Sequence, residues 1–360
     1  MFRQTQLKIN VDNYIKNAKA FGEHTKKKVM AIVKADAYGL CDYQMAGYLE
    51  RSGIDFFGVS SIEEALRLRK HNIKADILVL SYAHDIEICK KNNISVIVPN
   101  KFFIAEYKDK LKDLRVHIKM NTGLNRLGIL PSELNDTIKE LINYGAKVEG
   151  VMTHYAKPEE EEYTNYQYKI FEEAVKNSNY NFKYIHTCAS DAAIFLKDEI
   201  SNYMRLGIGL LGAVPLDAPF ELHNVVTLTA EVIDCKKLNK GDGVSYDHTH
   251  VSDGTGYYLT CTIGYADGLD FNYSGKEVYI NGQIGTIVGK ICMDLMMVRV
   301  ENPCKVGDQV EIIGEHMSID RRAKELHFAQ QKVTTDISDR VTRQYYVNGK
   351  LEKEINYRFD

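Results

Sequence analysis

Between about residue 28 and residue 212, short β-rich apolar runs alternate with longer amphipathic stretches. The runs are KVMAIVKA, DFFGVSS, ADILVLS, ISVIVP, RVHIKMN, KVEGVMTH, YIHTCAS and MRLGIGLLG, eight in all. Their apolar residues are continuous, as in strands buried on both faces. The stretches between them predict helices. SIEEALRLRKHN begins with Ser61 as a candidate N-cap, and YTNYQYKIFEEAVKN follows the glutamates 159–162. Acidic residues suit the positive end of a helix, so that run reads as a solvated helix start and not as a metal site. Eight strand–helix units without a Gly-x-Gly-x-x-Gly turn fit a closed parallel barrel better than an open sheet. Polar residues end successive runs, Lys34, Asn121, His154, Ser190 and Arg205 among them. In such a barrel those positions form the rim where chemistry takes place.

After about residue 216 the period changes to two, in NVVTLTAEVIDCKKL, GYYLTCTIGYA, KEVYINGQIGTIVG, ICMDLMMVRV and DQVEIIG. Asn281-Gly282, flanked by alternating residues, predicts a hairpin. The first ten residues also carry a strand pattern that can return to this half. The expected architecture is α/β: a (β/α)8 TIM-type barrel over residues 11–215, followed by a mostly antiparallel β domain made of residues 1–10 and 216–360.

With 46 basic and 49 acidic residues spread along 360 positions, the net charge is −3 and no basic block offers nucleic acid a footprint. The start lacks a basic segment followed by an apolar core, and no apolar run approaches the roughly 20 residues that span a bilayer. No membrane partner is expected, and a cytoplasmic protein is. The seven cysteines are scattered without a Cys-x-x-Cys pair, which favours reduced thiols and gives no reason to expect a metal.

Lys34 in AIVKADAYG ends an apolar run. Taken alone it reads as a rim lysine, or as an amine whose pKa falls on desolvation until it is nucleophilic. The surrounding VKADAYG resembles the cofactor-lysine signature of the alanine racemase family. NTGLNRLG, GVMTHYA, MRLGIGLLG, TIGYADG and VGKICMD resemble the family's other blocks, in the family's order.

The resemblance implies an isomerase, an amino-acid racemase with pyridoxal 5'-phosphate as cofactor, and assigns roles position by position. Lys34 carries the cofactor and is the base on one substrate face, and Tyr38 binds the phosphate. Arg126 is directed at the cofactor's phenolic oxygen and the substrate carboxylate, with Lys119, often carbamylated in the family, beside it. His154 contacts the catalytic tyrosine, His186 supports the ring arginine, and Arg205 faces the ring nitrogen. The backbone of Gly207 and Ile208 helps hold the phosphate. Tyr265 in GYADG is the second acid–base group, because inversion at Cα needs proton donors and acceptors on both faces. In the family, Tyr265 and the residues matching Met293 and Asp294 come from a second subunit, so a homodimer sharing its sites is implied. The expected substrate is a small amino acid, alanine, with D-alanine supplied to a bacterial cell wall.

The chain departs from the family pattern at several positions. Ala189-Ser190-Asp191-Ala192 places Asp191 where a serine binds phosphate, so Ser190 or water is expected to take that contact, or Asp191 to turn away. ISDRVTR puts Asp339 where a tyrosine narrows the substrate entrance, which favours a serine racemase or one of broader specificity as the alternative. Asn121 stands for an aspartate and Leu295 for a glutamine, which changes polarity near the carboxylate site. A barrel-type decarboxylase would bring a glycine-rich phosphate loop that is missing here, and a cofactor carrier made of the barrel alone would lack GYADG.

Overall fold

Eight short parallel strands close on themselves in the computed structural model, which describes residues 3–214 and 218–359. The chain divides into two units, Ile15–Leu222 and Met1–Tyr14 with His223–Asp360. The boundary expected between residues 215 and 216 lies outside the described residues.

In the first unit the strands are β2 (Lys28–Ile32), β3 (Phe56–Val59), β4 (Asp76–Val79), β5 (Ser95–Val98), β6 (Arg115–Lys119), β7 (Lys147–Met152), β8 (Tyr184–His186) and β9 (Tyr203–Leu206). They pair in chain order, and β2 closes the barrel against β9 with Lys28 opposite Tyr203. Every residue of β3, β5 and β9 is buried, as continuous apolar runs require. Helices follow the strands: α1 (Val11–Thr25) precedes β2, then come α2 (Lys34–Gly39), α3 (Asp42–Arg51), α4 (Ile62–Lys70), α5 (Ile86–Lys91), α6 (Lys101–Tyr107), α7 (Leu134–Asn143), α8 (Glu161–Asn177) and α9 (Ala192–Phe195). Ser61 caps α4 by accepting the Glu64 N–H, and α8 starts inside the glutamate run. The stretch read as MRLGIGLLG is strand only to Leu206, and Ile208–Leu211 form a 3-10 turn.

The second unit is built on a nine-stranded sheet whose pairings are antiparallel except for one. Its strands are β1 (Gln6–Asn10), β10 (Val226–Lys236), β13 (Tyr257–Cys261), β14 (Glu277–Ile280), β15 (Gln283–Val288), β16 (Met296–Val300), β17 (Gln309–Ile313), β18 (Thr342–Val347) and β19 (Lys350–Ile355); β11 (Gly243–Val244) and β12 (His250–Val251) form a separate ribbon. Because β13 pairs with both β16 and β10, six strands close into a second, antiparallel barrel. The strand β1 extends it, antiparallel to β10 and parallel to β18. Asn281-Gly282 joins β14 to β15 as the sequence predicts, with Ile280 opposite Gln283. Helices α10 (Ile319–Leu326) and α11 (Gln330–Thr335) lie in the connection to β18. Among the described residues no helix is long and apolar enough to cross a membrane.

Candidate active site

Directly after β2 the backbone leaves ordinary geometry: Ala35, Asp36, Ala37 and Tyr38 have φ of 50°, 57°, 52° and 59°. A left-handed turn of L-residues costs on the order of 1–2 kcal/mol per residue, so its surroundings must enforce it. Glu64 on α4 does so. Its carboxylate accepts the Ala35 N–H at 2.8 Å and the Ser60 N–H at 2.7 Å. Arg67, one turn further along α4, pairs with Asp36 at 2.9 Å and with Asp42 at 3.2 Å. Lys34 is thereby fixed at the C-terminal end of β2 and Tyr38 is folded under it, its ring buried.

On the neighbouring strand β9 stands Arg205, buried, with both terminal nitrogens engaged. Its Nη1 donates to the His186 carbonyl at 2.8 Å and to His186 Nδ1 at 3.1 Å. Its Nη2 donates to the carbonyls of Thr153 (2.9 Å) and Thr187 (2.8 Å) and to His154 Nδ1 at 3.0 Å. A guanidinium only donates, so Nδ1 of both histidines is an acceptor and each ring carries its proton on Nε2. His186 passes that proton's hydrogen bond to His117 Nδ1, 2.9 Å away, and His117 Nε2 is left buried without a partner. Burial, followed by Arg205 and Arg126, pushes His154 down to about 3, and burial pushes His117 to about 3. Both rings are neutral. Among the described residues nothing takes the Arg205 Nε–H, which is the donor left for a ligand.

The rim collects cations. Burial, then Arg205, Arg126 and Lys34, lowers Lys119 on β6 to about 8. Lys34 stands in the open mouth and is exposed by area, yet desolvation by the surrounding wall, followed by Arg126, lowers its ammonium. Among the described residues, Lys34, Lys119, Arg126 and Arg205 have no carboxylate within ion-pair distance. Asn121 is a loop builder: its side chain accepts the N–H groups of Gly123 (3.2 Å) and Asn125 (2.9 Å) just before Arg126.

Across the β8–β9 side, the Ser190 hydroxyl accepts the N–H groups of Gly207 (3.3 Å) and Gly209 (3.1 Å). A Cβ at position 207 would lie 2.2 Å from Tyr38 Oη, so only glycine lets the phenol and this backbone approach. Ile208 opens the 3-10 turn, where helix geometry does not use the N–H. Pyridoxal phosphate suits these residues. Its anionic groups answer the unpaired cations, its ring nitrogen can accept from Arg205 Nε, and the Tyr38–Ser190–Ile208 cradle offers two hydroxyls and the Ile208 N–H to a phosphate.

Tyr265, Met293, Asp294 and Asp339 belong to the second unit. Gly264 before the tyrosine lies against the Cys292 and Met293 carbonyls, where a Cβ would come within 2.3 and 2.4 Å. The Tyr265 and Ala266 N–H groups donate to those same carbonyls, each at 3.0 Å. Asp267, buried, ties the region together by accepting the Gly264 N–H and both Arg3 guanidinium nitrogens, at 2.6 and 2.7 Å. Arg340 joins Asp267 (3.4 Å) to Asp294 (2.6 Å). Arg343, also buried, gathers the Ile337, Ser338 and Val341 carbonyls and so fixes the loop bearing Asp339, which pairs with Arg358 at 3.0 Å. The sequence singled out none of Glu64, Arg67, His117, Asp267, Arg3 or Arg340. Asp267 sat within a recognised motif, but Glu64 had only the spacing of a helix cap from Ser61.

Comparison with known proteins gives a consistent result. The family model described as "Alanine racemase, N-terminal domain" matches residues 9–215, and "Alanine racemase, C-terminal domain" matches residues 225–345. An alanine racemase of Staphylococcus epidermidis is 32% identical, covering 98% of this chain and 97% of its own; one of Staphylococcus carnosus is 34% identical, covering 96% and 95%. The crystal structure of alanine racemase from Bacillus anthracis with bound L-Ala-P superposes with a TM-score of 0.93 at 31% identity, over 100% of this chain and 99% of that one. A histidine racemase from Leuconostoc mesenteroides superposes at 0.89 with 28% identity, over 96% and 98%. The Bartonella henselae alanine racemase with covalently bound pyridoxal phosphate superposes at 0.87 with 26% identity, over 95% and 99%.

Proposed function

The chain belongs to the alanine racemase family, and from that premise we propose that it is a cytoplasmic homodimer that interconverts L- and D-alanine with pyridoxal phosphate held at Lys34. The observation that carries this reading is the rim itself: a left-handed turn presenting a lysine of lowered pKa, next to the strand bearing an arginine whose remaining N–H is Nε. Bound there, the cofactor supplies an electron-accepting ring that acidifies the substrate Cα–H. Lys34 Nζ, as the free amine, takes the Cα proton from one face. Tyr265 Oη of a second copy of the chain delivers a proton to the other face. One turnover leaves Lys34 protonated and Tyr265 deprotonated, primed for the reverse direction. His154, neutral and protonated on Nε2, is the donor that stabilises that phenolate, backed by Arg205.

Arg205 remains a cation at neutral pH, held at about 10, and does not hand over its proton. With the cofactor bound, that would leave its ring a weak electron sink, which suits inversion and would suppress transamination. Arg126 binds the substrate carboxylate, with Met293 and Asp294 of the second copy completing the pocket. Lys119, whose ammonium is held at about 8, loses one proton to become an amine, adds carbon dioxide and releases a second proton as the carbamate forms; the change from cation to anion steadies Arg126. D-alanine formed in this way supplies a bacterial cell wall.

A serine or broader specificity is the second reading, favoured by Asp339 on its anchored loop and by the likeness to a histidine racemase. Turnover of L-alanine, L-serine and L-lysine followed by chiral analysis separates the two. L-alanine is expected to be fastest, and a serine preference overturns the alanine assignment.

A further inference from the structure

Asp191 follows Ser190 directly and stands beside the cradle in which the proposed reading seats the cofactor phosphate. Its side chain is half-buried, and its Oδ1 is buried with no hydrogen-bond partner. The titratable groups acting on it come from two elements. Tyr38 belongs to the left-handed turn, and its phenol feels the Asp191 carboxyl; Glu159 lies just before α8. Neither is a cation. Burial, then Glu159, raises the Asp191 carboxyl to about 6. The residue therefore has no counter-ion to favour its charged form, and a phosphate dianion arriving nearby would disfavour that form further.

We infer that Asp191 is a hydrogen-bond donor to the cofactor phosphate, completing with its carboxyl proton the cradle formed by Tyr38, Ser190 and the Ile208 backbone. Resting on the cofactor reading above, this replaces repulsion with a shared proton. The proton sits on Oδ1, otherwise orphaned, and that O–H donates to a phosphate oxygen. Phosphate binding then takes up one proton whenever Asp191 starts out ionised. By linkage, affinity for the cofactor falls by as much as about tenfold per pH unit above about pH 6.

The test is equilibrium binding to the full chain stripped of cofactor, followed by the absorbance of the bound chromophore. Wild type is compared with Asp191→Asn, a donor that cannot ionise, and with Asp191→Ser, in case the amide disturbs folding. Each is titrated with pyridoxal phosphate and with pyridoxal, which lacks the phosphate, at about pH 6 and about pH 8.5. The variants are expected to bind pyridoxal phosphate about as tightly as wild type at the lower pH and about tenfold or more tightly at the higher one, with no such difference for pyridoxal. Wild type and variants that keep the same affinities at both pH values overturn the inference, and so does an equal difference with pyridoxal. Failure of wild type to bind pyridoxal phosphate at all would instead defeat the cofactor reading.

Discussion

Both ends of the first barrel gather basic side chains, and at one end four of them are left without a carboxylate. At the N-terminal ends of the strands, Arg115 meets Asp76 at 2.7 Å and Glu149 at 2.8 Å, and Lys28 meets Asp55 at 2.7 Å. The Tyr184 and Tyr203 hydroxyls close the same network on Asp76 and Asp55. At the C-terminal ends, Lys34, Lys119, Arg126 and Arg205 converge without a carboxylate, and burial first, then the neighbouring guanidinium groups, shifts Lys34 and Lys119 downward. Paired charge holds a fold together, whereas like charge crowded into a mouth is a deficit that an anionic ligand fills.

The comparison breaks most sharply at Lys34. Lys34→Ala is expected to lower racemisation by more than about a thousandfold and to abolish the cofactor's absorbance band, with the melting temperature kept. Retained turnover would remove the rim from the chemistry. Next comes Tyr265→Phe, expected to reduce turnover by about a hundredfold or more while binding cofactor normally. Mixing it with Lys34→Ala subunits should restore one working site per heterodimer, and unrestored activity would count against shared sites.

At the opposite end, Arg115→Leu strands two partly buried carboxylates. About 3 kcal/mol of stability should be lost in denaturant unfolding, with turnover per folded molecule unchanged. An activity loss without a stability loss would contradict the division between the ends. A pH series sharpens what lies between them. His117 and His154 are neutral in the folded chain down to about 3 but become charged near 6.5 once unfolded, so the unfolded state binds more protons below 6.5. Stability is present above about 6.5 and falls with decreasing pH, by about 1.4 kcal/mol per pH unit for each ring. His117→Phe should flatten that slope. The smallest expected effect is on specificity: Asp339→Tyr should lower the serine-to-alanine rate ratio by up to about tenfold, and an unchanged ratio would dismiss Asp339 as a determinant.

Much of this was readable from residues alone. Eight continuous apolar runs announce eight buried parallel strands, and Asn281-Gly282 announces its hairpin, because burial on both faces and tight-turn geometry are demands made on neighbouring residues. Glu64 was hidden for the converse reason. A glutamate three residues after a capping serine looks like any helix start, and nothing local reveals that its carboxylate reaches Ala35, some thirty positions earlier. Arg3, Asp267 and Arg340 are likewise ordinary charges until a fold joins residues more than 260 positions apart.

The sequence by itself determined which elements form and, through the ordered blocks around Lys34 and Tyr265, the family. Tertiary structure alone decided that β1 is inserted between β10 and β18, that Lys34 is followed by a left-handed turn, and which ring nitrogen of His154 and His186 keeps its proton. Periodicity is a property of a few adjacent residues and survives in one dimension. Hydrogen-bond partners, burial and charge crowding depend on distances in space, which exist only once the chain has folded.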